Sequence, residues 1–126
     1  MDPPSAKLVI RLATEADFRA FYDRDPPELC VVMCGDRDGK IVGMAGVYYD
    51  PDGVALGFLD ATERPSFALH RAAKKFLATM KAVGEKAIYT TCQDNIPRAE
   101  EWLIRLGFKL LPDKIEGERV WRWQPQ

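Results

Sequence analysis

Alternating apolar and polar positions open the chain. Residues 7–12 (KLVIRL) follow this alternation and are rich in β-branched residues, which predicts a strand. Thr14 comes next, with Asp17 three residues later, which is close to the spacing of a capping box at a helix start. The helix predicted from there to about Tyr22 presents Phe18 and its other aromatic residues to a core, and the prolines of segment 25–27 end it.

Three strands joined by two turns are predicted for residues 29–62. Asp38-Gly39 is a strong hairpin signal, because both residues tolerate the positive φ that a tight two-residue turn needs. The DPDG segment at 50–53 predicts a second turn, with proline at its second position.

Helical periodicity returns from about residue 66 to residue 82. One apolar face has three- and four-residue spacing, and we interpret the basic residues opposite it as a solvated face. Gly84 predicts the end of this helix, and residues 86–92 (KAIYTTC) predict a strand. The apolar face consists of Leu69, Ala73, Phe76, Leu77 and Met80.

A last helix and two strands complete the predicted order. Asp94 or Asn95 is expected to cap the helix, with Pro97 in its first turn and Gly107 at its end. FKLLP and ERVWRW then predict two strands around a turn that contains Gly117. The order β-α-βββ-α-β-α-ββ predicts an α+β (mixed α/β) fold with one mixed seven-stranded sheet flanked by helices.

Composition indicates one globular domain spanning residues 1–126. Hydrophobic residues make up 47% and charged residues 29%, and the formal net charge is −1, so we expect no nucleic acid and no membrane partner. No apolar run approaches the ~20 residues of a membrane span, and the N-terminus lacks the pattern of a secretory signal. We therefore expect a cytoplasmic protein. The three cysteines and the single histidine do not make a zinc set, so we expect free thiols and no metal.

The segment between the fourth strand and the long helix raises a question. An apolar strand that runs into a helix is the ordinary layout of a phosphate-binding corner, because the first free N–H groups of the helix point at an anion. Such corners usually carry glycines that let the backbone approach the phosphate. This corner has none: it reads Glu63, Arg64, Pro65, Ser66 and Phe67.

Three segments resemble the GCN5-related N-acetyltransferase (GNAT) family. IRLATEADF (10–18) looks like the family's opening strand and capped helix, and GKIVGMAGVYY (39–49) is similar to its central hairpin strand. DNIPRAEEWLIRLGFK (94–109) resembles the fourth-helix signature, with an asparagine, an alanine one turn later and a closing Leu-Gly-Phe. The spelling of this last segment is also similar to variants associated with bacteriophage and prophage genomes.

The resemblance implies acetyl-CoA or another acyl-CoA as the donor. The parallel strands that end at Thr62 and Cys92 would part to hold the pantetheine arm, and the backbone of Leu59–Ala61 would bind it. The corner Arg64–Leu69 would hold the pyrophosphate. The donor-binding residues implied are Leu59, Ala61, Arg64, Ser66, Phe67, Ala68, Leu69 and Asn95.

The chain departs from the family pattern at the pyrophosphate loop. The family reads R/Q-x-x-G-x-G/A, and the helix register aligns it with Arg64–Leu69, which keeps the arginine but replaces both glycines. Sliding back by one residue gives Glu63–Ala68, which restores the final alanine but puts a carboxylate where the cation belongs. The loop is thus a degenerate version in either alignment. An anion site is expected, without the usual close fit.

A second departure concerns the proton for the leaving thiolate. Many family members supply it from a tyrosine four residues before the closing glycine, and here that position is Leu103. Thiolate is a tolerable leaving group because a thiol has a pKa near 8.5, so the loss of the acid costs at most about 10²–10⁴-fold.

Asp60 and Glu63 are the candidate bases for the acceptor amine, because they lie where the fourth strand ends. The alternatives are that Asp60 caps the turn and that Glu63 is a solvated charge. His70 is either a surface residue or a contact to the donor phosphate. Tyr89 is expected to pack, and Cys92 lacks the partners of a nucleophile. Trp121 and Trp123 either pack or line the acceptor edge.

Two functions follow from these residues. The first is an N-acetyltransferase that moves an acetyl group from acetyl-CoA to an unidentified amine by direct attack. The alternative is a catalytically inactive binding or interaction protein with the same fold, which the missing glycines and the missing tyrosine favour. In either case we expect a monomer or a weak homodimer.

Overall fold

The residues that the structure describes form ten helices and strands in the predicted order. The computed structural model describes residues 8–62, 67–91 and 98–125. In chain order the elements are β1 (Leu8–Leu12), α1 (Glu15–Tyr22), β2 (Cys30–Arg37), β3 (Lys40–Tyr49), β4 (Ala55–Ala61), α2 (Phe67–Ala82), β5 (Ile88–Thr91), α3 (Ala99–Leu106), β6 (Lys109–Ile115) and β7 (Glu118–Trp123). The predicted alternation of helices and strands is confirmed.

The seven strands form one mixed sheet in the order β1-β2-β3-β4-β5-β7-β6. β4 and β5 pair in parallel, with Leu56 opposite Tyr89. Antiparallel pairing joins β1 to β2, β2 to β3, β5 to β7 and β6 to β7. The predicted fold class and the parallel pair are therefore confirmed.

The described residues divide into two compact units. The first unit lies within Met1–Tyr48 and Phe58–Ala72, and the second within Tyr49–Gly57 and Ala73–Gln126. The single domain expected from chain length stays a prediction.

Helix α1 of the first unit begins with the expected capping box. The Asp17 backbone N–H donates to Thr14 Oγ1 at 3.1 Å, and the Thr14 backbone N–H donates to Asp17 Oδ2 at 2.8 Å. Arg11 on β1 also donates to the Asp17 carboxylate, at 2.6 Å. These bonds, the Arg11 contact first, hold the pKa of Asp17 well below its usual range. The start of α1 is thus tied to β1 by an ionised carboxylate.

The core of the first unit lies between α1 and the strands. Phe18, Val32, Cys34 and Met44 are buried together, and Phe58 is among the half-buried residues that pack against them. Burial raises the pKa of the Cys34 thiol and that of the half-buried Cys30, as expected for free thiols. Cys92 lies outside the described residues.

Two predicted turns join the strands from β2 to β4. Asp38 and Gly39 both take positive φ, at 55° and 84°, as the hairpin signal requires. At the second turn the Gly53 backbone N–H donates to the Asp50 carbonyl at 2.9 Å.

Helix ends organise the second unit. Gly84 follows α2 with φ 88°, and its N–H donates to the Lys81 carbonyl at 3.1 Å. Gly107 ends α3 in the same left-handed conformation. The predicted start of α3 was wrong, because the described helix begins at Ala99 after Arg98, whose left-handed backbone is incompatible with a continuing right-handed helix. Asp94, Asn95 and Pro97 lie outside the described residues.

Candidate functional site

The candidate site of the first unit is the end of β4, where Asp60 accepts a hydrogen bond from Tyr22. The Tyr22 hydroxyl lies 2.5 Å from Asp60 Oδ2, and the contact is partly buried. It joins residues 38 apart in sequence. Asp60 is therefore held by a helix side chain, and the turn that it would cap in the alternative interpretation lies outside the described residues.

Aromatic packing fixes the ring that donates this hydrogen bond. The centroid of the Tyr22 ring lies 4.6 Å from that of Phe18, 4.9 Å from that of Phe21 and 6.3 Å from that of Phe58. Such tilted and edge-on contacts are the favoured geometries of aromatic pairs. Phe58 lies on the same face of β4 as Asp60, two residues earlier. Ring and carboxylate acceptor are thus both anchored to the same core.

The surroundings of Tyr22 keep its phenol protonated. Burial is the main cause of a pKa well above the usual range, and the hydrogen bond to Asp60 adds to the rise. The Arg24 guanidinium acts in the opposite direction, with its carbon 5.3 Å from the centroid of the ring. Tyr22 is therefore a hydrogen-bond donor that does not release its proton near neutral pH.

The last residues of β4 direct some of their backbone groups toward β3 and others toward the opposite side, where β5 is the neighbouring strand. Thr62 N–H donates to the Val42 carbonyl at 2.9 Å, so these two residues face each other as a hydrogen-bonded pair. A Cβ added to Gly43 would lie 3.7 Å from the Ala61 Cβ, which makes these the neighbouring non-hydrogen-bonded pair. Residues of such a pair direct their N–H and C=O groups outward. Ala61, and Leu59 two residues earlier, therefore direct theirs away from β3.

The predicted corner is described only in part. Glu63, Arg64, Ser66 and Asn95 lie outside the described residues, as does the side chain of Ala68. Phe67 begins α2 with 87% of its surface exposed, so it does not contribute to a core. Leu69 and His70, in the first turn of α2, are half-buried.

Leu103 occupies a core position where many members of the resembled family have a tyrosine. Its side chain is 8% exposed on α3, and Trp102 beside it is half-buried. An apolar side chain can supply no proton, so the described residues of α3 hold no replacement acid at this position.

Three other residues considered for the site, Tyr89, Trp121 and Trp123, lie in the second unit. Tyr89 lies on β5, opposite Leu56 of β4 and Arg122 of β7. Trp121 and Trp123 are 3% and 7% exposed, so they pack in the interior. The Trp121 Nε1 is buried and has no hydrogen-bond partner within the part of the chain that the structure describes.

Tyr22 is the residue of this site that sequence reasoning assigned only to the core. A signal was available: a tyrosine four residues after the buried Phe18 carries a hydroxyl toward the core, and a buried hydroxyl needs an acceptor. The sequence did not indicate which carboxylate would accept from it.

The described residues form neither a metal-binding group nor a membrane-spanning helix. Among residues 8–62, 67–91 and 98–125, no three histidine, cysteine or acidic side chains are grouped as a metal would require. No helix described for this chain is long and apolar enough to cross a bilayer. The cytoplasmic location stays a prediction.

Three solved structures that match this chain in fold carry the name acetyltransferase. An N-acetyltransferase from Staphylococcus aureus Mu50 matches with a TM-score of 0.68 at 13% identity, over 94% of this chain and 98% of that chain. A Bacillus subtilis acetyltransferase in complex with CoA matches with a TM-score of 0.64 at 11% identity, over 95% and 100%. An acetyltransferase of the GNAT family from S. aureus Mu50 matches with a TM-score of 0.61 at 15% identity, over 75% and 68%.

These likenesses establish that the chain has the GNAT fold. No protein-family model matches the sequence, and a search of curated proteins found no match. At identities this low a shared fold does not carry an activity with it, so function has to be argued from the site.

Proposed function

We propose that this chain transfers an acetyl group from acetyl-CoA to an amine by direct attack of the amine on the thioester. The observation that carries the proposal is the end of β4, where Asp60 and the outward backbone groups of Leu59 and Ala61 lie within three residues. The backbone groups suit an amide-containing donor, and the carboxylate suits an amine. One strand end thus offers contacts to both substrates.

The backbone groups of Leu59 and Ala61 that point away from β3 fit the pantetheine arm of the donor. Pantetheine contains two amide groups, and strand N–H and C=O groups that make no bond to a neighbouring strand can bind such groups. Leu59 and Ala61 would supply these bonds. The donor, when bound, supplies the activated acyl group.

The corner after β4 is proposed to hold the donor pyrophosphate. Arg64 and Ser66 would supply a cation and a hydroxyl, and the first turn of α2 would supply backbone N–H groups. This turn has no acidic side chain to repel an anion. The exposed ring of Phe67 contributes to no core, so an anion there need not displace packed side chains. Ala68, Leu69 and Asn95 are proposed as further donor contacts.

Asp60 is the proposed acceptor of the proton from the amine, directly or through water. An amine with a pKa near 10 is mostly protonated at neutral pH, and a carboxylate both attracts the ammonium form and takes its proton. Glu63 is the second candidate for this role. The leaving thiolate takes its proton from solvent in this scheme, because Leu103 supplies none.

Acetyl-CoA binding followed by turnover tests the proposal. Donor at a hundred times its Kd should stabilise the folded chain by about 2.7 kcal/mol, which a thermal shift detects. Free thiol released in the presence of a panel of amines then measures transfer. No thermal shift at roughly millimolar donor would contradict the proposal. A shift without thiol release from any amine would favour the catalytically inactive binding protein instead.

A matched pair of variants tests whether the backbone N–H of Ala61 binds the donor. Ala61→Pro removes the outward N–H, whereas Ala61→Ser keeps it with a side chain of similar size. We expect Ala61→Pro to weaken acetyl-CoA binding by about tenfold, the worth of one hydrogen bond, and Ala61→Ser to bind as the wild type does. Isothermal titration measures both. Equal affinities would place the donor elsewhere.

A further inference from the structure

The hydrogen bond from Tyr22 to Asp60 joins the last residue of α1 to a side chain of β4, and aromatic rings pack around the donor. We infer that Tyr22 is a positioning residue, which holds the Asp60 carboxylate in one orientation so that Oδ1 is left for the acceptor amine. Oδ2 accepts from the Tyr22 hydroxyl at 2.5 Å, and within the described residues Oδ1 has no hydrogen-bond partner. This inference rests on the proposed function.

The end of α1 fixes the position of the Tyr22 backbone. Tyr22 is the last residue of α1, and Asp23 follows in the left-handed conformation, with its N–H donating to the Arg19 carbonyl at 2.8 Å. The helix therefore ends at a defined residue. Phe18, Phe21 and Phe58 pack against the ring, and this packing restricts the side chain of Tyr22.

Tyr22 is suited to donate a hydrogen bond and unsuited to donate a proton. A phenol in this setting, with its pKa above the usual value, would protonate a thiolate only against a large free-energy difference. The charged groups that face it are Asp60 from β4 and Arg24 after α1, while the aromatic neighbours are uncharged. Tyr22 therefore acts through Asp60 and does not replace the acid missing at Leu103.

A kinetic comparison of two tyrosine variants tests the inference. Tyr22→Phe keeps the ring and removes the donor to Asp60. Tyr48→Phe is the matched control, because Tyr48 is also half-buried and its ring centroid lies 6.1 Å from that of Phe58. Its hydroxyl makes no hydrogen bond to any residue that the structure describes.

We expect Tyr22→Phe to lower kcat/KM for the acceptor amine by about tenfold or more, because a reacting group that loses its orientation loses rate. The KM for acetyl-CoA should not change, since none of the proposed donor contacts involves Tyr22 or Asp60. Tyr48→Phe should stay within about twofold of wild type in both parameters. If wild type is active and the two variants behave alike, the positioning role is overturned and the proposed function stands.

A spectroscopic measurement tests the contact without turnover. In Asp60→Asn, Tyr22 should ionise at a lower pH than in wild type, because it loses an anionic neighbour. The ultraviolet tyrosinate titration measures this change. The double variant Tyr22→Phe/Asp60→Asn should lack the titration step that shifts in Asp60→Asn. An unchanged titration in Asp60→Asn would overturn the inference. A wild type that acylates no amine would overturn the proposed function and, with it, this role.

Discussion

Two tyrosine–carboxylate contacts, one in each unit, use the same chemistry in different surroundings. In the first unit Tyr22 donates to Asp60 at 2.5 Å, inside a cluster of aromatic rings. In the second unit Tyr49 donates to Glu85 at 2.9 Å. Burial is the first cause of a raised pKa in both tyrosines, and the rise is larger for Tyr22.

The difference teaches how a fold separates a structural contact from a candidate site. Glu85 lies just after Gly84, beyond the end of α2, and the contact ties that connection to the end of β3. Asp60 instead lies between Leu59 and Ala61, whose backbone groups point away from β3 and are the proposed donor contacts. We therefore interpret the Glu85 contact as structural and the Asp60 contact as part of a site.

Replacing each of the two carboxylates should give the largest difference in activity between the two contacts. Asp60→Asn should lower amine acetylation by about 10²–10⁴-fold, the usual worth of a general base. Glu85→Gln should leave the rate within about twofold, and steady-state release of free thiol measures both. Equal losses in the two variants would remove the distinction, and full activity in Asp60→Asn would leave Glu63 as the base.

Alkaline stability should distinguish the two tyrosines next. A raised folded-state pKa contributes stability that is fully present below the unfolded pKa, near 10, and is lost as pH rises toward the folded value. Allowing for half exposure of Tyr22, wild type should lose about 2 kcal/mol more than Tyr22→Phe between pH about 8 and about 12. Tyr49→Phe should differ less from wild type. Urea midpoints at the two pH values give the comparison, and equal losses would contradict it.

A substitution at the start of α1, in the first unit, should have the smallest effect on stability. Asp17→Asn breaks the capping box and the Arg11 ion pair, and we expect a loss of about 1 kcal/mol at neutral pH. Because the folded pKa of Asp17 is lowered, its contribution is present above the ordinary aspartate pKa, near 4, and is lost as pH falls below that value. The difference in urea stability between the variant and wild type should therefore shrink as pH falls from about 4 to about 2, and a constant difference would show that charge is not the cause.

The order of elements was predictable because its signals are local. The Thr14 capping box, the Asp38-Gly39 hairpin and the glycines at 84 and 107 each fix one boundary through the φ values or bonds that they permit. The start of α3 was mispredicted because good capping residues at 94 and 95 outweighed Arg98, whose left-handed conformation no local rule indicates.

The sequence predicted the β4 side of the candidate site but not the contribution of α1. Asp60 could be identified because it ends a strand, and the outward backbone groups follow from strand alternation. Its partner could not, because the contact with Tyr22 spans 38 residues and depends on how α1 packs over β4. Sequence patterns mark what ends an element more readily than what meets across the core.

The left-handed residue that closes α1 has a consequence for how this chain tolerates length changes. Each helical residue turns a side chain by about 100° around the axis. Adding one residue between Phe18 and Tyr22 would swing the phenol away from the carboxylate while the capped start and the sheet stayed in place. The four-residue spacing of Phe18 and Tyr22 therefore determines whether the hydroxyl reaches Asp60. In a natural variant with a longer or shorter α1, the tyrosine would need a carboxylate at a different position along β4.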